Sequence, residues 1–133
     1  MSFSRAAIWQ DNLPRKQRAG DGFIAMPVIS TYSTDAILTL TIPQVMGGVL
    51  QVTGLTAGRN FTTPTAVDLL NAMPEMDIGD TYMFMVSVTV AFAVTWAAGA
   101  GVTLAGRATT PASSSTFIVI EKLSATTVKW TVL

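Results

Sequence analysis

The sequence contains no cysteine and no histidine. Without thiols there is neither a disulfide framework nor a thiolate metal site. Without imidazole, histidine-based nucleophilic triads and histidine metal sites are excluded as well. Charge is nearly as scarce: 12% of the 133 residues are charged and the formal net charge is zero, whereas ordinary soluble domains carry about 25%. Eight Lys and Arg residues do not build the basic face that displaces counterions from a nucleic acid, so no nucleic-acid partner is expected. Long apolar runs are missing too. The most apolar segment, Tyr82 to Ala100, is interrupted by Ser87, Thr89, Thr95 and Gly99, and reads as buried strands rather than a membrane span. Met1 to Gln10 lacks the apolar stretch of a signal peptide.

What is present is apolar bulk: half of the residues are hydrophobic. A chain of this length folds as one domain that buries about two-thirds of its extended surface. So little charge on such a body implies either that partners cover part of the surface or that the many Thr and Ser side chains supply the polarity. Substantial oligomeric or docking contact is the expectation that follows.

Composition divides the chain near Gly22. In residues 1–22, an extended N-terminal arm, Arg5, Arg15, Lys16 and Arg18 outnumber Asp11 and Asp21, whereas acidic residues outnumber basic ones in residues 23–133. The arm has no strand or helix period, yet carries Phe3, Ile8, Trp9 and Leu13. Two readings are open: the arm anchors through Trp9 on a neighbouring subunit or host surface, or Trp9 returns to its own domain. Trp9, Arg15, Lys16 and Arg18 are the candidate contacts of the arm.

Beyond Gly22 the pattern is that of strands. Ala36 to Ile42 alternates around Leu38, Leu40 and Ile42 and stops at Pro43. Val49 to Thr53 follows the Gly47-Gly48 bend. One short helix is expected, with Thr63 as N-cap, Pro64 in the first position and Pro74 closing it. Thr81 to Val90 has the clearest period of two: Tyr82, Phe84, Val86, Val88 and Val90 alternate with Thr81, Met83, Met85, Ser87 and Thr89. The aromatic and β-branched side should face the core. Met83 and Met85 then belong to a second covered face or lie beneath the helix. Ser114 to Lys122 and Thr127 to Val132 form a terminal hairpin. About eight short strands with glycine and proline turns predict an all-β fold, a jelly-roll-like antiparallel β-sandwich over residues 23–133, with an up-and-down barrel as the rival.

No catalytic, cofactor-binding or metal-binding residues are assigned. Glu75, Asp77 and Asp80 are close enough in sequence to bind a hard cation, but Asp and Gly also populate an ordinary turn between helix and strand. Trp96 and Trp130 are expected in the core rather than on a sugar-stacking platform.

The runs Leu38 to Leu50, Leu55 to Met73, Ile78 to Phe84 and Trp96 to Gly106 resemble a recurring domain of tailed-phage capsid decoration (cement) and fibre-like structural proteins. The resemblance covers about residues 36–133 and leaves the arm outside. It implies a sandwich that self-associates, often as a trimer, on the outer surface of a virion and binds the major capsid protein across shell subunits. A fibre or spike module recognising a host surface through Tyr32, Arg59, Asn60 and Arg107 is an alternative, and a carbohydrate-binding module another. No enzymatic activity, cofactor or membrane partner is implied.

Overall fold

The computed structural model describes residues 27–133. They form ten strands and two helices. In chain order these are β1 (Val28–Tyr32), β2 (Leu38–Thr39), α1 (Ile42–Met46), β3 (Gly48–Val52), β4 (Arg59–Thr62), α2 (Ala66–Ala72), β5 (Thr81–Val88), β6 (Val94–Ala97), β7 (Val102–Gly106), β8 (Thr109–Thr110), β9 (Ser114–Lys122) and β10 (Val128–Val132). The strands make two separate sheets, a six-stranded one in the order β1-β3-β5-β9-β10-β7 and a four-stranded one in the order β2-β4-β6-β8.

The expected antiparallel jelly roll is therefore corrected. This is a small mixed α/β fold, and β1-β3, β3-β5, β2-β4, β4-β6 and β7-β10 pair in parallel. From β1 to β6 the chain alternates between the sheets, laying one strand on each and returning through α1 or α2 to start the next turn. Successive turns run in the same direction, which is why the neighbouring strands are parallel. The pairs β5-β9, β6-β8 and β9-β10 are antiparallel, and the last, from Lys122–Val128 to Ile118–Val132, is the hairpin read from the sequence.

Helix α1 explains one local misreading. The strand expected over Ala36 to Ile42 ends at Thr39, and Pro43 stands inside the first turn of α1 rather than after a strand. Thr41 caps that turn: its Oγ1 accepts the Gln44 N–H at 3.4 Å, and Gln44 Oε1 accepts the Thr41 N–H at 2.9 Å. This reciprocal capping box satisfies two N–H groups that the helix itself leaves without partners. In α2 the N-cap is Thr65, not Thr63. Thr63 is buried and accepts the Gly99 N–H through Oγ1 at 2.9 Å, while donating to Pro64 O. Gly99 is required there, since a Cβ would come within 2.6 Å of Thr63 O and 2.7 Å of Pro64 O.

One core joins both sheets and both helices. The inner face of the large sheet contributes Leu50, Val52, Phe84, Val86, Val88, Ile118, Ile120, Val128, Trp130 and Val132, and the small sheet Phe61, Val94 and Trp96. Val45 of α1 and Ala66, Leu69 and Leu70 of α2 close it. At its centre, Trp130 packs edge-on against Phe84 at 5.4 Å between centroids, and Trp96 meets Trp130 at 5.6 Å. Edge-to-face packing suits the ring quadrupoles and adds to the area buried.

Candidate interaction surface

The large sheet has a second face. Because residues in register point the same way, the ladders define rows across its outer side. One row is Ile29, Val49, Met85 and Phe117, continued by Leu133, whose N–H donates to Phe117 O. The next is Met83, Val119, Thr131 and Ala105. Ile29 is 63% exposed, Met83 55%, Phe117 48% and Leu133 57%, and Val49, Met85 and Val119 are half-buried by their neighbours.

Polar rows flank these two. On one side run Thr31, Gln51, Ser87 and Ser115, with Ser115 Oγ donating to Ser87 Oγ at 3.0 Å. On the other run Thr81, Glu121, Lys129 and Thr103, tied by the Lys129–Glu121 ion pair at 3.4 Å. The result is a mostly apolar stripe of two staggered rows, the first running from β1 to the end of β10 and the second from β5 to β7, which together cross the six strands between polar margins. With strands about 4.8 Å apart, the two staggered rows together span about 24 Å.

Met83 and Met85 thus lie on the outer side of β5, as the alternation predicts. The alternative placement beneath the helix is wrong: α2 turns Ala66, Leu69 and Leu70 toward the core, and Met83 faces solvent. Trp9, Arg15, Lys16 and Arg18 lie outside the described residues. The stripe itself was missed in the sequence. Its members sit on six segments between residues 29 and 133, and only the ladders bring them into rows.

The other candidate groups are engaged within the fold. Asp35 holds Arg59 through two hydrogen bonds, Nε to Oδ1 at 2.9 Å and Nη2 to Oδ2 at 3.0 Å, and accepts the Thr56 N–H and hydroxyl. The Arg59 hydrogen bonds, followed by those from Thr56, hold the Asp35 carboxyl well below the usual carboxylate range. The Arg59 guanidinium is raised above its ordinary value, chiefly by its hydrogen bonds to Asp35. Tyr32 stacks edge-on against Phe61 and donates to Ala36 O. Of the four proposed host-recognition side chains, Asn60 and Arg107 remain exposed.

Asp80 accepts the Asp77 N–H at 2.9 Å, as in a turn cap. Among the described residues no group of three acidic side chains is arranged to hold a metal ion. Trp96 is 5% exposed and Trp130 is fully buried, so neither offers a face to a sugar. Trp96 Nε1 donates to Thr110 Oγ1 at 3.1 Å, and Thr110 shares a 2.7 Å hydrogen bond with Thr116. Among the described residues no helix is long and apolar enough to cross a membrane.

Comparison with protein-family models, curated proteins and solved structures finds no match to this chain.

Proposed function

We propose that this chain is a non-enzymatic structural virion protein that decorates the outer surface of a bacteriophage capsid and stabilises it by docking across shell subunits. The carrying observation is the exposed apolar stripe framed by polar rows on the outer face of the six-stranded sheet. Such a surface suits contact with another protein better than solvent. The resemblance of residues 36–133 to decoration proteins supplies the partner, the major capsid protein. Decoration works by mass action: a protein that binds the assembled shell and not its free subunits shifts the equilibrium toward the shell. Many copies on one particle multiply modest local contacts into firm attachment.

The test is occupancy on purified shells. A Met85→Ser/Phe117→Ser double variant should keep its thermal midpoint and lose at least tenfold in shell affinity. Unchanged occupancy, or no occupancy by the unaltered chain, would reject the reading.

A further inference from the structure

We propose that the free protein self-associates through the outer face of its six-stranded sheet, as a dimer whose two-fold axis lies in the interface, parallel to the strands, between β9 and β10. The face has the anatomy of a protein–protein interface. Rows bearing Met83, Met85 and Phe117 lie between rows of polar side chains, and methionine and aromatic residues are what the centre of such an interface favours while charge is kept out of it. Pleated faces of this kind cover one another sheet on sheet, about 10 Å apart with their strands nearly aligned.

Charge selects the occupant. The four rows carry two charged side chains, Glu121 on β9 and Lys129 on β10, adjacent in one polar row and opposite in sign. A face without net charge does not steer a strongly charged partner onto itself. It is complementary to its own copy. A two-fold dimer joins one patch to the same patch reciprocally, and for two faces to meet the axis must lie in the plane between them.

The pattern of rows then selects the direction of that axis. Set across the strands, it would lay the row of Glu121 and Lys129 on the Ser and Thr row of the other copy and leave both charges facing hydroxyls. Set parallel to the strands, it lays each row on its own copy, apolar on apolar and polar on polar. With the axis between β9 and β10, Glu121 faces the partner subunit's Lys129, and Phe117 faces the partner subunit's Leu133. The four charges alternate in sign around a square, which adds two intermolecular attractions to the 3.4 Å pair within each copy. The Lys129 and Glu121 side chains are 42% and 32% exposed, so each has a free side for the second contact. Strands β1 and β3 extend beyond the overlap, which keeps the contact small and the dimer weak. The inference concerns the free chain and stands whether or not the partner on which it docks is a capsid.

Sedimentation equilibrium of the full chain, with no shells present, tests this. Between about 1 μM and about 1 mM the average mass should rise from the 14.1 kDa of one chain toward twice that value and stop there. Phe117→Lys sets a charge in the apolar row and should weaken the dimer at least tenfold, with the thermal midpoint of the dilute chain unchanged. Glu121→Lys and Lys129→Glu should each weaken it at least fivefold, because either swap turns both intermolecular attractions into repulsions. The double swap only exchanges the signs and should restore the affinity to within twofold. A chain that stays monomeric over the whole range, a mass that climbs past two copies, Phe117→Lys dimerising as well as the unaltered chain, or a double swap no better than the single ones overturns the inference. Because no shell is present, its failure is separate from a failure of shell occupancy.

Discussion

The two faces of the six-stranded sheet are built from the same strands and often from adjacent residues, yet they do opposite things. Along β5, Phe84, Val86 and Val88 are buried against the small sheet and the helices, while Met83, Met85 and Ser87 look outward. Along β9, Ile118 and Ile120 are buried, and Phe117 between Thr116 and Ile118 is half exposed. The inner face is held by shape, with aromatic rings interlocked at its centre. The outer face has apolar rows with nothing on them among the described residues, and polar rows that mark where they stop. Apolar side chains therefore serve two ends here: those turned inward specify the fold, and those turned outward are available for binding.

The comparison breaks most directly by truncating one residue of each face. Trp130→Ala should destabilise the protein by about 3–5 kcal/mol, the usual cost of emptying a large aromatic site. Phe117→Ala should change stability by no more than about 0.5 kcal/mol, as expected of a surface position. Urea denaturation of the two variants checks this, and similar losses would mean that the outer face is also part of the core.

A smaller effect sharpens the account of the inner face. Thr110→Val keeps the shape but removes the hydroxyl that links Trp96 Nε1 to Thr116, leaving buried polar groups without a partner. The expected loss is about 1–3 kcal/mol. Thermal unfolding would show it, and a neutral outcome would mean that packing alone holds the seam between the sheets.

The smallest effect concerns the surface ion pair that ties the loop after β1 to β4. Asp35 titrates below an unfolded carboxylate, whose pKa is about 3.9, so its contribution is complete above that value and is lost as the pH falls toward its lower folded value. Asp35→Asn should therefore lower the thermal midpoint slightly at neutral pH, and the gap from the unaltered protein should close as the pH drops below about 3.9. A gap independent of pH would show that charge is not what makes this contact.

How much of this was legible beforehand differs from element to element. The period of two in Thr81 to Val88 correctly assigned inner and outer residues, because alternation is a local consequence of strand geometry. The hairpin of β9 and β10 was legible for the same reason: two patterned runs lie close together with a short turn between them. The short helix α2 was recognised, with its cap displaced by two residues because Thr63 and Thr65 are chemically equivalent candidates. Helix α1 was missed because Leu38 to Ile42 alternates like a strand, and five helical residues leave too short a period to compete. Strand direction was missed throughout the first half of the chain. A ladder in either direction needs the same alternating side chains, and here the returns between parallel strands run through the second sheet rather than through a long helix that would have announced them.

The sequence by itself determined the absence of thiol and imidazole chemistry, the scarcity of charge, the contrast between basic arm and acidic body, and which side of each well-patterned strand is apolar. These follow from composition and from periods of a few residues. Only the tertiary structure decided that the strands divide into two sheets wound largely in parallel, that Arg59 belongs to Asp35, and that Ile29, Met85, Phe117 and Leu133 share one exposed row. Each of these depends on register between segments distant in the chain, and register is set by how the whole core packs.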